Sequence, residues 1–190
     1  MRLGIDFGTT RTVVALCDGG NHPIVQFEDA EGELRDGYPS VIAFNADQVR
    51  YGWEALALVS EPGWTVTPSF KRLLGTGRIG PITVGEHEHS LFAIVEGFLG
   101  SLVKALRTAS NLPPALRDDP QLEAIIATPA HAGSAQRFVT LEAFRSAGFE
   151  VVGMMNEPSA AGVEYASRYR STFNTRRERV LVYDLSLIHI

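Results

Sequence analysis

The chain has 190 residues, 45% of them hydrophobic and 21% charged, with a formal net charge of −5. That ordinary globular balance argues against disorder, and a chain of this size buries enough surface to fold without disulfides or a structural metal. No basic stripe is visible, which argues against a nucleic-acid partner, and no apolar run approaches the ~20 residues of a membrane span.

The N-terminus runs straight into Met1-Arg2-Leu3-Gly4-Ile5-Asp6 with no long apolar leader. Short apolar segments at 1–6, 12–17 and 23–27 are separated by Gly8-Thr9-Thr10 and by Asp18-Gly19-Gly20-Asn21, turn chemistry that predicts antiparallel hairpins. Cys17 is the single cysteine, so no internal disulfide forms and a reducing, cytoplasmic setting is favoured. Its apolar neighbours predict a buried, unreactive thiol. A polar turn over 31–37 leads to a strand at Ser40–Phe44. Short helices are predicted at 53–59, stopped near Pro62-Gly63, and at 69–74, stopped by Gly75.

The clearest helix spans 90–110. Leu91, Val95, Phe98, Leu102 and Leu106 form one continuous face, and Pro113-Pro114 follow the end. Gly97 and Gly100 lower its intrinsic propensity, so packing must hold it. Beyond it the pattern alternates: strand 122–127, helix 134–147 ended by Gly148, strand 151–154, helix 157–166, an Arg-rich loop, and a strand at 180–184. Such alternation implies parallel strands with crossover helices. Joined to the opening hairpins, it predicts an α/β fold with a mixed five-stranded sheet flanked by helices. A smaller inserted α+β subdomain is expected over about 36–107, dividing a core unit of about 1–35 and 108–185.

Four segments carry chemistry. In Asp6-Phe7-Gly8-Thr9-Thr10, Gly8 allows close backbone approach, and Thr9 and Thr10 offer N–H and hydroxyl donors suited to phosphate oxygens. Asp6 supplies a carboxylate of the kind a hydrated Mg²⁺ takes; the same pentapeptide also suits a plain hairpin turn. Lys71-Arg72-Leu73-Leu74-Gly75 offers an ammonium that could neutralise a transferring phosphoryl group, or simply a solvated basic face. In Thr128-Pro129-Ala130-His131, a strand ends, and Ser134 is placed to cap the following helix. His131 has no second histidine at metal-ligand spacing, and His87 and His89, expected in a polar turn, do not improve the case for a metal. Asn156-Glu157-Pro158 is a helix start, with Pro158 tolerated in the first turn and Glu157 facing either the helix dipole or a metal-bound water.

These blocks, with Gln136-Arg137, Glu28-Asp29-Ala30-Glu31-Gly32 and Pro39-Ser40-Val41-Ile42-Ala43, stand in the order found in the heat-shock-seventy (DnaK-type) chaperones. The chain resembles that family from residue 1 to about 185. The resemblance implies the first lobe of an actin-like, ribonuclease H-like ATPase domain using ATP/ADP and Mg²⁺. It implies that Gly8, Thr9, Thr10 and Arg11 form the first phosphate loop and that Asp6 and Asp184 contact Mg²⁺ through water. Lys71 matches the lysine needed for hydrolysis and Glu157 an acidic residue near the attacking water. Pro129 and Arg137 match a pair relaying nucleotide state to a peptide-binding domain. Client polypeptides, a J-domain cochaperone and a nucleotide-exchange factor are the partners the resemblance implies, with no nucleic acid and no membrane.

Two departures stand out. Arg11 replaces the tyrosine or asparagine common in the family. After Asp184-Leu185 the chain reads Ser186-Leu187-Ile188-His189-Ile190 where the family continues Gly-Gly-Gly-Thr, so residues 186–190 are expected to be a non-native end and the fragment inactive by itself. An actin-like sugar kinase and a nucleotide-binding filament protein are the alternative readings. The first shares Asp-x-Gly-Thr-Thr but is not expected to carry the Lys71 and Asn156 blocks, and the second requires self-association surfaces.

Overall fold

In β-structure successive side chains alternate between faces, and β1 (Arg2–Phe7) shows this directly: Leu3, Ile5 and Phe7 are buried while Arg2, Gly4 and Asp6 are exposed. The computed structural model describes residues 1–76, 81–84, 87–169 and 182. The predicted strand at 180–184, Asp184 and residues 186–190 lie outside the described residues, apart from residue 182.

After β1 come β2 (Arg11–Cys17), β3 (Phe27–Glu28), β4 (Leu34–Arg35), β5 (Tyr38–Pro39), β6 (Val41–Phe44), β7 (Val49–Tyr51) and helix α1 (Gly52–Leu56). Next are β8 (Thr65–Pro68), a 3₁₀ helix (Phe70–Thr76), β9 (Pro81–Val84), β10 (His87–Ser90) and α2 (Leu91–Thr108). The chain continues through α3 (Pro114–Arg117), β11 (Leu122–Thr128), α4 (Ser134–Ser146), β12 (Phe149–Asn156) and α5 (Glu157–Arg168). One five-stranded sheet has the order β12-β11-β1-β2-β5. It is mixed: β1 is antiparallel to β2 and β2 to β5, whereas β1, β11 and β12 run parallel. Around it, β7-β6-β8 form a three-stranded sheet, and β9-β10 and β3-β4 form hairpins.

The structure corrects several expectations. Ser134 does not cap α4: the N-cap position is Gly133, and no side chain makes a cap hydrogen bond there. The segment 23–27 does not form a full strand: Leu16 N–H donates to Pro23 O and Val25 N–H to Val14 O, but the pairing is a single bridge at Ala15 and Ile24. Pro23 has no N–H to extend the ladder, and the other end of β2 is paired by Tyr38–Pro39 instead. Cys17 is exposed, not buried. Thr12, Val14 and Leu16 take the core face of β2, and that parity turns Cys17 to the other side.

The long helix forms where its periodicity predicts. Ser90 caps α2 by accepting from Ala93 N–H, and the whole predicted face is buried, with Ile94 and Leu99 added to it. Gly97 is explained by close approach: a Cβ there would lie 2.3 Å from Tyr51 Oη. The buried side of α2 joins Val139, Ala143 and Phe144 of α4 against the sheet residues Leu3, Ile5, Phe7 and Ile126 in one hydrophobic cluster. Ile42 and Phe70, from the segment expected to be inserted, belong to the same cluster.

Tyr38 sits at the seam between β5 and α2. Its hydroxyl is 2.6 Å from Ser101 Oγ, and burial pushes the phenol up to about 12, against the opposing pull of the Ser101 hydrogen bond. The folded state therefore favours the neutral phenol. This stabilisation is complete below the unfolded value near 10 and is lost as pH rises through the folded value. Urea unfolding is expected to show a loss of about 2 kcal/mol from this group by about pH 11.5. Tyr38→Phe flattens that alkaline limb; an unchanged limb in the variant contradicts the assignment.

Candidate nucleotide-phosphate site

Three parallel strands end side by side. In register, Asp6 lies beside Ala127 and Ala127 beside Met155, and one step further Thr128 lies beside Asn156. The C-terminal ends of parallel strands are where α/β folds build sites, because chain reversals there place loops and helix starts around one crevice. Gly8–Thr10, Pro129 and Glu157 directly follow these strand ends.

The Gly8–Thr10 turn is tight. Gly8 N–H donates back to Asp6 O at 2.9 Å, and a Cβ on Gly8 would come within 2.3 Å of Arg11 O. Only glycine fits without moving the loop. Ser40, completely buried, ties the turn down: its N–H donates to Thr10 O at 3.0 Å and its hydroxyl to Gly8 O at 2.8 Å. Thr9 is half-buried, and Thr10 and Arg11 are exposed.

Lys71 enters from the other side. Ser69 N–H donates to Ser40 O at 3.3 Å, and Ser69 adopts φ 62°, a left-handed conformation uncommon for a non-glycine residue. The 3₁₀ helix begins at the next residue. Lys71 is only 7% exposed, unusual for a lysine. Its ammonium donates to Glu157 Oε1 at 2.9 Å and stands 5.2 Å from the Phe7 ring centroid, within cation–π range. Phe7 is itself fixed by Phe70, Phe98 and Phe144. A charge this buried requires such partners.

Arg137 joins the ends of β11 and β12 on the α4 side. Its guanidinium donates to Thr128 Oγ1 at 3.1 Å, to Ala132 O at 3.0 Å and to Asn156 Oδ1 at 2.5 Å. Asn156 immediately precedes Glu157, so Arg137 is one residue removed from the Lys71 ion pair. Pro129 follows Thr128 and accepts from Ala132 N–H, making the turn that leads into α4.

Of the residues singled out from sequence, the fold brings Lys71 and Glu157 into contact and sets Gly8, Thr9, Thr10 and Arg11 in one turn. It fastens Arg137 between the ends of β11 and β12. Asp6 is the next-to-last residue of β1, on its exposed face; Asp184 lies outside the described residues. Sequence reasoning missed Ser40, Phe7 and Asn156 as members of this network. Ser40 carried a signal, a small polar residue within a β-prone run, but its partners are distant in sequence. Among the described residues, no group of three or more His, Cys, Asp or Glu side chains could hold a metal ion, and no helix is long and apolar enough to cross a membrane.

Comparison with known proteins agrees with this geometry. Residues 2–187 match the family described as Hsp70 protein. The chain is 33% identical over 184 residues to the chaperone protein DnaK of Mycoplasma mycoides subsp. mycoides, covering 96% of this chain and 28% of that protein. It is 32% identical over 189 residues to DnaK of Elusimicrobium minutum, with coverage of 96% and 28%. Against the chaperone protein HscA of Serratia proteamaculans it is 30% identical over 200 residues, covering 96% of this chain and 30% of the relative. The chain thus spans less than a third of these relatives. Strand order, crossover helices and sequence agree: this chain belongs to the Hsp70 family and has the fold of the first lobe of its actin-like ATPase domain.

Proposed function

We propose that this lobe holds the phosphates of Mg-ATP for hydrolysis in a protein-folding chaperone. The observation that carries the reading is the Lys71–Glu157 ion pair, closed across 86 residues of sequence at the ends of parallel strands. Proteins of this family generally bind ATP or ADP with Mg²⁺. The tight cradle at Gly8, which a Cβ would fill, suits a phosphate approached by backbone N–H groups. Asp6 and Asp184 would hold the hydrated Mg²⁺, which neutralises phosphate charge when bound.

In this reading the N–H groups of Thr9, Thr10 and Arg11 orient the phosphates, and the Arg11 guanidinium adds a positive charge beside them. The Lys71 ammonium faces the charge that develops on the transferring group. Glu157, paired with Lys71 before nucleotide binds, accepts a hydrogen bond from the attacking water. Release of the Lys71–Glu157 pair to serve phosphate and water is the rearrangement that nucleotide binding requires. The adenosine pocket and the peptide-binding domain belong to parts of the relatives that this chain does not span. The division into a core and an inserted unit near 36–107 stays part of the proposal, as do a cytoplasmic setting and client, J-domain and exchange-factor partners.

Arg137 and Pro129 act as a relay. A shift of Asn156 beside Glu157 changes the Arg137 hydrogen bonds and is felt at the Pro129 turn and along α4. In the full-length protein, unfolded polypeptide is expected to stimulate ATP turnover, and Arg137→Ala to lose most of that stimulation while changing basal turnover less. Normal stimulation in the variant removes the relay. A wild-type protein that turns over ATP without responding to polypeptide contradicts the chaperone reading.

A further inference from the structure

We infer that Ser40 is a positioning residue that preorganises the phosphate loop, an assignment that rests on the nucleotide reading above. In a planar trans peptide the carbonyl oxygen and the following N–H point in opposite directions, and among the described residues no peptide bond is cis. Ser40 Oγ donates to Gly8 O at 2.8 Å, which turns the Thr9 N–H away from Ser40. Ser40 N–H donates to Thr10 O at 3.0 Å, which turns the Arg11 N–H away as well. One buried residue therefore fixes the orientation of two peptide planes in a loop only a few residues long. Donors set before the ligand arrives need no reorganisation when it binds, which is the advantage of a preorganised anion site.

The surroundings make the arrangement rigid. Ser40 is 0% exposed, and so is Thr12, whose Oγ1 lies 3.2 Å from Ser40 Oγ. The single hydroxyl proton of Ser40 is committed to Gly8 O, so Thr12 is the donor in that pair. The Ser40 carbonyl also accepts from Ser69 N–H, two residues before Lys71. The loop that would face the phosphates and the turn that presents Lys71 are thereby anchored to one residue.

This yields a control that separates positioning from stability. Ser40→Ala removes the donor to Gly8 O. Thr12→Val removes a neighbouring buried hydroxyl of the same shape and leaves that donor in place. The experiment measures Mg-ATP affinity of the full-length protein by calorimetry for wild type and both variants, with the Thr9 and Arg11 amide resonances as a local readout. Ser40→Ala is expected to weaken affinity about tenfold and to shift both amide resonances, whereas Thr12→Val stays within about twofold of wild type. Ser40→Cys keeps the shape with a weak donor and serves if the alanine variant fails to fold; it is expected to weaken binding in the same direction. Wild-type affinity in Ser40→Ala, or in Ser40→Cys where that variant takes its place, overturns the assignment, as does an equal loss in Thr12→Val. Absence of Mg-ATP binding in the wild type itself overturns the nucleotide reading and this assignment with it, and is told apart because it needs no variant.

Discussion

Lys71→Ala in the full-length protein is expected to lower the ATP hydrolysis rate at least about a hundredfold while leaving Mg-ATP affinity within a few-fold of wild type. The magnitude follows from what removing one preorganised charge from a water-poor site typically costs. Lys71 is such a charge: its side chain is 8% exposed, its ammonium is 2.9 Å from Glu157 Oε1, and the Phe7 ring lies beside it. Binding survives because the Gly8–Arg11 turn does not depend on Lys71 for its shape; its bonds run to Asp6 and Ser40. The variant also strands Glu157, whose side chain is 21% exposed. A stability loss of about 1–3 kcal/mol therefore accompanies it, kept below the fully buried value by access to water. Single-turnover kinetics with thermal unfolding separates the two effects. Turnover unchanged in Lys71→Ala would remove this residue from the chemistry.

Phe98→Ala carries the largest expected effect on stability, about 3–5 kcal/mol. Phe98 has no exposed surface and packs on Phe7 and Tyr38 at 5.7 Å and on Phe70 at 5.0 Å. Those neighbours belong to β1, β5 and the 3₁₀ helix, so the cavity opens where helix α2 meets the elements that hold the site. A loss of that size is a large part of the stability of a typical domain. The same cavity lets Phe7 tilt away from the Lys71 ammonium, so hydrolysis should fall further than the fraction unfolded explains. Denaturant unfolding with turnover on the folded fraction tests both; a loss under about 1 kcal/mol would show that α2 does not hold the core.

The long amphipathic helix was legible because its spacing is a local property, and so were the hairpin at Gly8 and the alternation of β11, α4, β12 and α5. What sequence reading missed depends on partners. Pro23 breaks a ladder that the composition of 23–27 suggested, and β2 takes Tyr38–Pro39 instead. The hairpin of β9 and β10 was hidden because its polar residues, His87-Glu88-His89-Ser90, lack an alternating apolar pattern. At the site, Lys71 and Glu157 were each ambiguous alone, a basic patch and a helix start, and only the order of the motifs joined them. The hydrogen bonds of Ser40 to Gly8 and Thr10 could not be read at all, since a buried serine between two strands looks like any small polar residue until its neighbours are placed.

Phosphate recognition by the Gly8–Arg11 turn is the central claim, and a nucleotide titration followed by NMR tests it most directly. With Mg²⁺ present, AMP, ADP and ATP are added in turn to the isotopically labelled full-length protein, and the amides of Gly8, Thr9, Thr10 and Arg11 are followed with the Lys71 ammonium. The account predicts shifts centred on these residues that grow from AMP to ADP to ATP, because each added phosphate brings charge closer to the same donors. A turn left unperturbed by ATP, or perturbed equally by AMP, would contradict it.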